Sequence, residues 1–202
     1  MEFQQVVARR RMVRRYRDAP VDPAAVTRIL HAAARGPSAG FAQGVRFVVV
    51  TDAGTRAAIA QLCDESRHLA QGFDAWLSVA PVHVVIGVRS DDYRDRYAEP
   101  DKRRSRGPDG WQLPWWWVDA GAALALLLLA AVDEGLAAGF LNVARPDAVR
   151  RLLAMPPDIT IVGLATLGQP APDRRSGSLA RGRRPVQEVV RYERWSDHQH
   201  AT

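Results

Sequence analysis

Apolar and polar positions are arranged in blocks along the chain, and the blocks differ in period. Residues 2–15 interleave Phe3, Val6, Val7 and Val13 with arginines and predict a short basic helix. Val26, Ile29, Leu30 and Ala33 recur at i, i+3, i+4 and i+7, one apolar helix face. Asp22 suits the cap of that helix, Pro23 suits its first position, and Gly36-Pro37-Ser38-Ala39-Gly40 stops it. Residues 45–51 and 82–88 are apolar runs rich in β-branched side chains, which predict buried strands. Between them, residues 55–80 read as one or two helices interrupted around Gly72. Residues 89–114 are charged, poor in aliphatic side chains and loop-like. Residues 115–136 predict a helix whose middle is apolar all round, so it needs cover all round. Residues 139–143 read as extended, Arg145-Pro146 leads into a helix through Leu153, and residues 160–167 predict a third strand. Residues 168–184 form an irregular arm rich in Gly, Pro and Arg, and residues 186–195 read as strand-like.

Strands alternating with helices, plus a fully apolar helix, indicate an α/β layered domain. The 202 residues suit one domain, 1–202, and leave limited bulk to wrap an all-apolar helix, so a second copy is expected to cover one side. Composition narrows the class. A 47% hydrophobic share excludes a disordered chain. Lys+Arg total 28 against 22 Asp+Glu, a formal net charge of +6 with a pI near 10.3. Lys102 is the sole lysine, an arginine skew read as compositional bias first and phosphate recognition second. The single cysteine, Cys63, excludes an internal disulfide framework and reads as a buried structural thiol. The N-terminus carries no apolar run, and residues 120–132 fall short of the about 20 residues that span a bilayer. A cytoplasmic protein with no membrane partner is expected. His31, His68 and His83 read as structural, His198 and His200 lack a third ligand, and no metal is expected.

Three clusters carry candidate chemistry. If residues 2–15 are helical, Arg10 and Arg14 share a face, with Arg11 beside them; guanidinium groups grip phosphate oxygens or an anionic ring edge. A solvated basic helix, or one with nonspecific affinity for nucleic acid, explains the same residues. Arg181-Gly182-Arg183-Arg184-Pro185 repeats the cationic pattern late in the chain, where a charged linker is the plainer reading. The loop Gly36-Pro37-Ser38-Ala39-Gly40-Phe41-Ala42-Gln43-Gly44 is small enough for a flat ligand to approach its backbone, or is a plain turn. In residues 89–114, Tyr93, Tyr97 and Lys102 suit a lid over a small aromatic or anionic substrate, or a solvated loop. Trp111, Trp115, Trp116 and Trp117 read as core or dimer contacts, with Trp115 a candidate for the pocket border.

In order along the chain, several segments resemble the nitroreductase superfamily. They are Arg10-Arg11-Met12-Val13-Arg14-Arg15-Tyr16 followed by Pro20, and Pro37-Ser38-Ala39-Gly40-Phe41-Ala42-Gln43 leading into Arg46-Phe47-Val48-Val49-Val50. Trp117-Val118-Asp119-Ala120-Gly121-Ala122-Ala123 through Gly135-Leu136, then Leu167-Gly168-Gln169-Pro170-Ala171 and Arg183-Arg184-Pro185-Val186-Gln187-Glu188-Val189-Val190, complete the set. The resemblance implies an α+β fold, a three-layer α-β-α sandwich in an intertwined homodimer with FMN at the subunit interface. By position, Arg10, Arg11, Met12 and Arg14 would hold the flavin phosphate and pyrimidine edge, with Arg14 the electrostatic catalytic group. The partner would supply Pro37, Ser38, Ala39, Phe41 and Gln43; Leu141 and Asn142 would lie by the reactive ring nitrogen, and Arg181 and Arg183 at the phosphate on the C-terminal arm (168–202). Asp119 is assigned a helix-start role. Met12 stands where the family usually has serine, Phe41 where it has asparagine, and Gly44-Val45 where it has Pro-Trp. The implied activity is hydride transfer between NAD(P)H and a small conjugated substrate, nitroaromatic or quinone. The alternative is a flavin or deazaflavin (F420) carrier without nicotinamide-dependent turnover. A nucleic-acid binder rests on pI alone, and no nucleic-acid partner is expected.

Overall fold

The computed structural model describes residues 1–102, 105, 107–172 and 177–195. Val45–Val50 (β1), Val82–Arg89 (β2), Ala137–Leu141 (β3) and Ile159–Gly168 (β4) form one sheet in the order β1-β2-β4-β3, every neighbouring pair antiparallel. The helices are Phe3–Arg9 (α1), Pro23–Ala34 (α2), Ala53–Leu62 (α3), Glu65–Ala70 (α4), Asp91–Ala98 (α5), Trp115–Asp133 (α6), Pro146–Leu152 (α7) and Val186–Val189 (α8). They cluster as two compact units, Met1–Pro172 and Asp173–Thr202.

The period-2 geometry of a strand sends alternate side chains to opposite faces, and each face here meets helices. Val82, Val84 and Ile86 of β2 join Ala165 and Leu167 of β4 against Ile29 and Ala33 of α2 and Leu127, Leu128 and Ala131 of α6. Val85 and Leu164 point the other way, to Ile59 and Ala60 of α3 and Val149 of α7. The result is the expected α+β three-layer sandwich. Asp22 caps α2 by accepting from the Ala24 amide at 2.9 Å, with Pro23 in the first turn.

Several expectations are corrected. The basic helix stops at Arg9, and the chain from Arg10 is extended: the Val13 amide donates to Ala138 O at 2.9 Å, and Met12 bridges Ala138 at the free edge of β3. Burying Val13 and Tyr16 beside that edge satisfies backbone groups that a helix would have to satisfy within itself, so Arg10 and Arg14 share no helix face. Residues 55–80 break at Cys63 and Asp64 (φ 58°), and after Gly72 no helix follows in this stretch among the described residues. The chain there is tied down by Glu65, whose buried carboxylate accepts from the Trp76, Leu77 and Ser78 amides at 2.9, 2.7 and 3.2 Å. The supposed loop 89–114 contains α5 and two short 3-10 turns, and residues 103, 104 and 106 lie outside the described residues. In the second unit, the strand-like stretch begins as the four-residue α8, closed by Val190 N donating to Val186 O at 2.9 Å. His198 and His200, and residues 173–176 of the arm, lie outside the described residues.

By length and composition alone α6, 19 residues of mean hydropathy 1.8, could cross a bilayer. Here its Ala120, Ala123, Leu127, Leu128 and Ala131 side is buried. The cover is not complete within one chain: Val118, Gly121 and Ala125 remain exposed at helical spacing on the opposite side.

Candidate functional site

The arginine segment runs along the β3 edge. Val13 is buried, while Met12, Arg11 and Arg14 on either side of it are exposed and Arg10 is half-buried. Tyr16 locks the segment, its hydroxyl 2.6 Å from Thr166 Oγ1 and donating to Val13 O at 3.0 Å. The Arg14 guanidinium carbon sits 5.6 Å over the Trp76 ring, a cation–π contact. Trp76 is held by the amides bound to Glu65, and it packs so closely on Gly139 that a Cβ there would fall 2.9 Å from its ring. A cleft of about 210 Å³ opens beside this segment, lined by Arg9, Arg11, Val13, Val132, Leu136 and Ala138 among others; Arg10, Met12, Arg14 and Trp76 are not among its lining residues. Its described lining holds two arginines and no carboxylate, which suits an anion. Leu141 ends β3 half-buried, and Asn142 follows it exposed.

The serine loop precedes β1. Ser38 Oγ accepts from the Gln43 amide at 2.7 Å, and Ala39 N donates to the buried Asp119 carboxylate at 3.0 Å. Gly40, Phe41 and Gln43 take left-handed backbone angles, φ 62°, 61° and 54°. Pro37 and Gln43 are exposed, and the Phe41 ring is 74% exposed, so the residue that replaces asparagine lies in solvent. A second cleft of about 150 Å³ is lined by Gly36, Pro37, Ser38, Gln43, Asp119 and Ala123 among others. Asp119 is thus more than a helix start. Its carboxylate also accepts from the Tyr93 hydroxyl at 2.7 Å, and burial followed by this carboxylate pushes the phenol pKa up.

The remaining candidates divide. Tyr93 is fully buried, so it cannot be part of a lid; its place in the core was hidden because a charged sequence surrounds it. Tyr97 and Lys102 are together, the ammonium 5.6 Å over the ring, which also meets Trp111 edge-on. Trp115 is exposed at the start of α6. Arg181 ends a 3-10 turn in the second unit and Arg183 is exposed there. Cys63 is buried, which pushes its thiol up to about 11 and leaves it a poor nucleophile.

The two clefts are far apart in one chain. Asp119 and Ala123 line one and Val132 the other, thirteen and nine residues along the same helix, or about 14–20 Å at the usual rise. The sheet agrees: the serine loop leads into β1 and the arginine segment borders β3, the opposite edges of a four-stranded sheet. Missed by sequence reading were Trp76 under Arg14, Glu65 under Trp76, and Arg96 on Gly40; Tyr93 and Tyr97 were expected in a lid, whereas they pack with Arg96 against the serine loop. The i, i+3, i+4 spacing of that set was the available signal.

Comparison with known proteins identifies the arrangement. A model of the nitroreductase family matches residues 7–169. The chain belongs to the nitroreductase family. It is 28% identical over 199 residues to a Thermus thermophilus protein named NADH dehydrogenase, covering 90% of this chain and 91% of that one. The fold matches nitroreductase A from Vibrio parahaemolyticus with a TM-score of 0.72 at 22% identity, over 96% of this chain and 77% of that one. It also matches an NADPH:FMN oxidoreductase from Vibrio harveyi in complex with NAD+, TM-score 0.71 at 21% identity, over 96% and 78%.

Proposed function

We propose that this nitroreductase-family chain is a cytoplasmic, homodimeric, FMN-dependent oxidoreductase that moves a hydride between NAD(P)H and a small conjugated substrate such as a nitroaromatic or quinone. The observation that carries the reading is the split site: an arginine-lined cleft and a small-residue loop, each suited to one part of a flavin, stand about 14–20 Å apart along α6 in one chain. A two-fold partner brings the cleft of one copy against the loop of the other, because an isologous interface pairs unlike patches reciprocally. The exposed Val118, Gly121 and Ala125 stripe of α6 is the small apolar surface such a pairing buries, and its short side chains let a second helix approach closely.

The residues fit the cofactor. Arg10 and Arg11 would hold the phosphate, a role the resemblance also gives Arg181 and Arg183, while Pro37, Ser38, Ala39 and Gln43 of the partner subunit would hold the ring. Met12, Leu141 and Asn142 would contribute backbone groups to the ring. When bound, FMN supplies a ring nitrogen that accepts and returns hydride. Arg14, steadied on Trp76, would supply fixed positive charge to the pyrimidine edge of a bound flavin. Tyr97 and Lys102 border the substrate.

The purified protein should be yellow and should bleach when NADH or NADPH is added without oxygen. Colour without bleaching supports the carrier reading, which the exposed Met12 and Phe41 side chains favour because neither can donate a hydrogen bond. Mixing two inactive proteins tests the split site. Arg11→Glu disables one half and Ser38→Trp the other, and each mixed dimer regains one intact site, giving about a quarter of wild-type turnover after random exchange. No recovery places both halves in one chain and overturns the arrangement.

A further inference from the structure

Helix α5 and the buried end of α6 converge on the serine loop from beneath. Tyr93, Arg96 and Tyr97 stand at i, i+3 and i+4, one helix face. Arg96 Nε donates to Gly40 O at 2.7 Å, and Arg96 is itself fixed by Asp101 through two bonds of 2.8 Å. A Cβ at Gly40 would lie 2.7 Å from the Tyr97 ring, and one at Gly44 would fall inside the Tyr93 ring. The Tyr93 hydroxyl and the Ala39 amide share the same Asp119 oxygen, at 2.7 and 3.0 Å. Both side chains are buried, Tyr93 at 0% and Asp119 at 5% exposure, which removes water as a competing partner.

We propose that Asp119 and Tyr93, with Arg96 and Tyr97, are positioning residues that hold the 37–43 loop in its left-handed form before any cofactor arrives. This deepens the flavin reading above and rests on it. The loop needs such a hold. Phe41 and Gln43 occupy a backbone region that ordinary side chains avoid, and a short exposed loop has no burial of its own to offset that cost. With the underside fixed at Ala39, Gly40 and Gly44, the outward groups of Pro37, Ser38 and Gln43 are presented in one geometry, and a ligand does not have to order them on binding. Tyr93 is fully buried and cannot touch a substrate, and Asp119, which lines the cleft with 5% of its surface exposed, is engaged by the Ala39 amide and the Tyr93 hydroxyl, so both are assigned positioning roles.

Three variants of the full chain decide the matter: Asp119→Ala, Asp119→Asn and Tyr93→Phe, with Tyr93→Phe retaining the ring should Asp119→Ala fail to fold. Amide hydrogen exchange on the purified proteins reads the loop, and FMN titration by fluorescence quenching reads the cofactor. Exchange at residues 38–44 should quicken about tenfold in Asp119→Ala and Tyr93→Phe and stay unchanged in the distant β4 strand, and FMN should bind about tenfold more weakly. Asp119→Asn should rescue both, since its amide oxygen in the place of Oδ2 can accept from Ala39 N and from the Tyr93 hydroxyl together. Unaltered loop exchange in Tyr93→Phe and Asp119→Ala overturns the proposal, as does quickened exchange with unchanged FMN affinity, or an Asp119→Asn protein as impaired as Asp119→Ala. If wild type binds no FMN, the flavin reading fails, while the exchange data still decide whether the hold exists.

Discussion

Removing the Glu65 carboxylate should reveal how the scaffold supports Arg14. That side chain is 5% exposed and accepts from three consecutive amides, Trp76, Leu77 and Ser78. Trp76 and Leu77 are themselves buried, so in Glu65→Ala their N–H groups have no water to turn to. At about 1–3 kcal/mol for each of these two buried donors left unmatched, the loss comes to about 2–6 kcal/mol. For a chain of this size that lowers Tm by roughly 10 °C. Glu65→Gln keeps one accepting oxygen and forfeits only the charge assistance, about 2 kcal/mol. The pH dependence separates the two contributions. Burial pushes the Glu65 carboxyl up, but the Ser78 hydroxyl and the three amides together outweigh it, and the pKa falls below its ordinary 4.5. A depressed carboxylate pKa stabilises the fold above the unfolded value and loses that increment as pH falls through the folded value. Urea unfolding of wild type and Glu65→Gln should therefore differ by a constant amount from pH 6 to 8, and the gap should close below about pH 4.5. A gap that is flat from pH 7 to 3, or an Ala variant within about 1 kcal/mol of wild type, would refute the reasoning. Because the turn carries Trp76 and Trp76 carries Arg14, the Ala variant should also bind FMN more weakly at temperatures where it is folded.

His83 gives a second acid-sensitive window. It is fully buried, Nε2–H donates to Leu77 O at 2.8 Å, and burial lowers its pKa from 6.5 to about 4. The unfolded chain takes up the proton first, so stability should fall by roughly 3 kcal/mol between pH 6.5 and 4, and His83→Gln should flatten that slope in urea unfolding. Phe41→Asn places a residue tolerant of left-handed angles at φ 61° without removing a buried contact, and thermal unfolding should show a gain of about 0.5–1 kcal/mol. Gly44→Ala forces a methyl into the Tyr93 ring and 2.9 Å from Arg89 O; a loss of about 2 kcal/mol by urea unfolding is expected, with Tyr93 displaced from Asp119.

Much of the framework was legible in the pattern of side chains. β-branched runs marked β1, β2 and β4 to within a residue or two, and the capping aspartate and proline marked the start of α2, because these signals act over a few neighbouring residues. The order of the arginine segment, the serine loop and the central apolar helix was enough to place the chain in its family. The apolar excess of α6 also carried the expectation of a partner. Local pattern could not say that Arg10–Tyr16 is extended, since its conformation is set by backbone groups on β3 some 125 residues away in sequence, Val13 N to Ala138 O. It could not distinguish Tyr93 from Tyr97 within one charged stretch, although one is fully buried and the other half-buried. Nor could it show that the two candidate binding clusters stand at opposite ends of a helix. Hydrophobic period and turn residues are properties of adjacent positions and survive in the linear sequence. Which carboxylate meets which amide, and how far apart two clusters lie, depends on how the layers stack, and only the folded chain decides that.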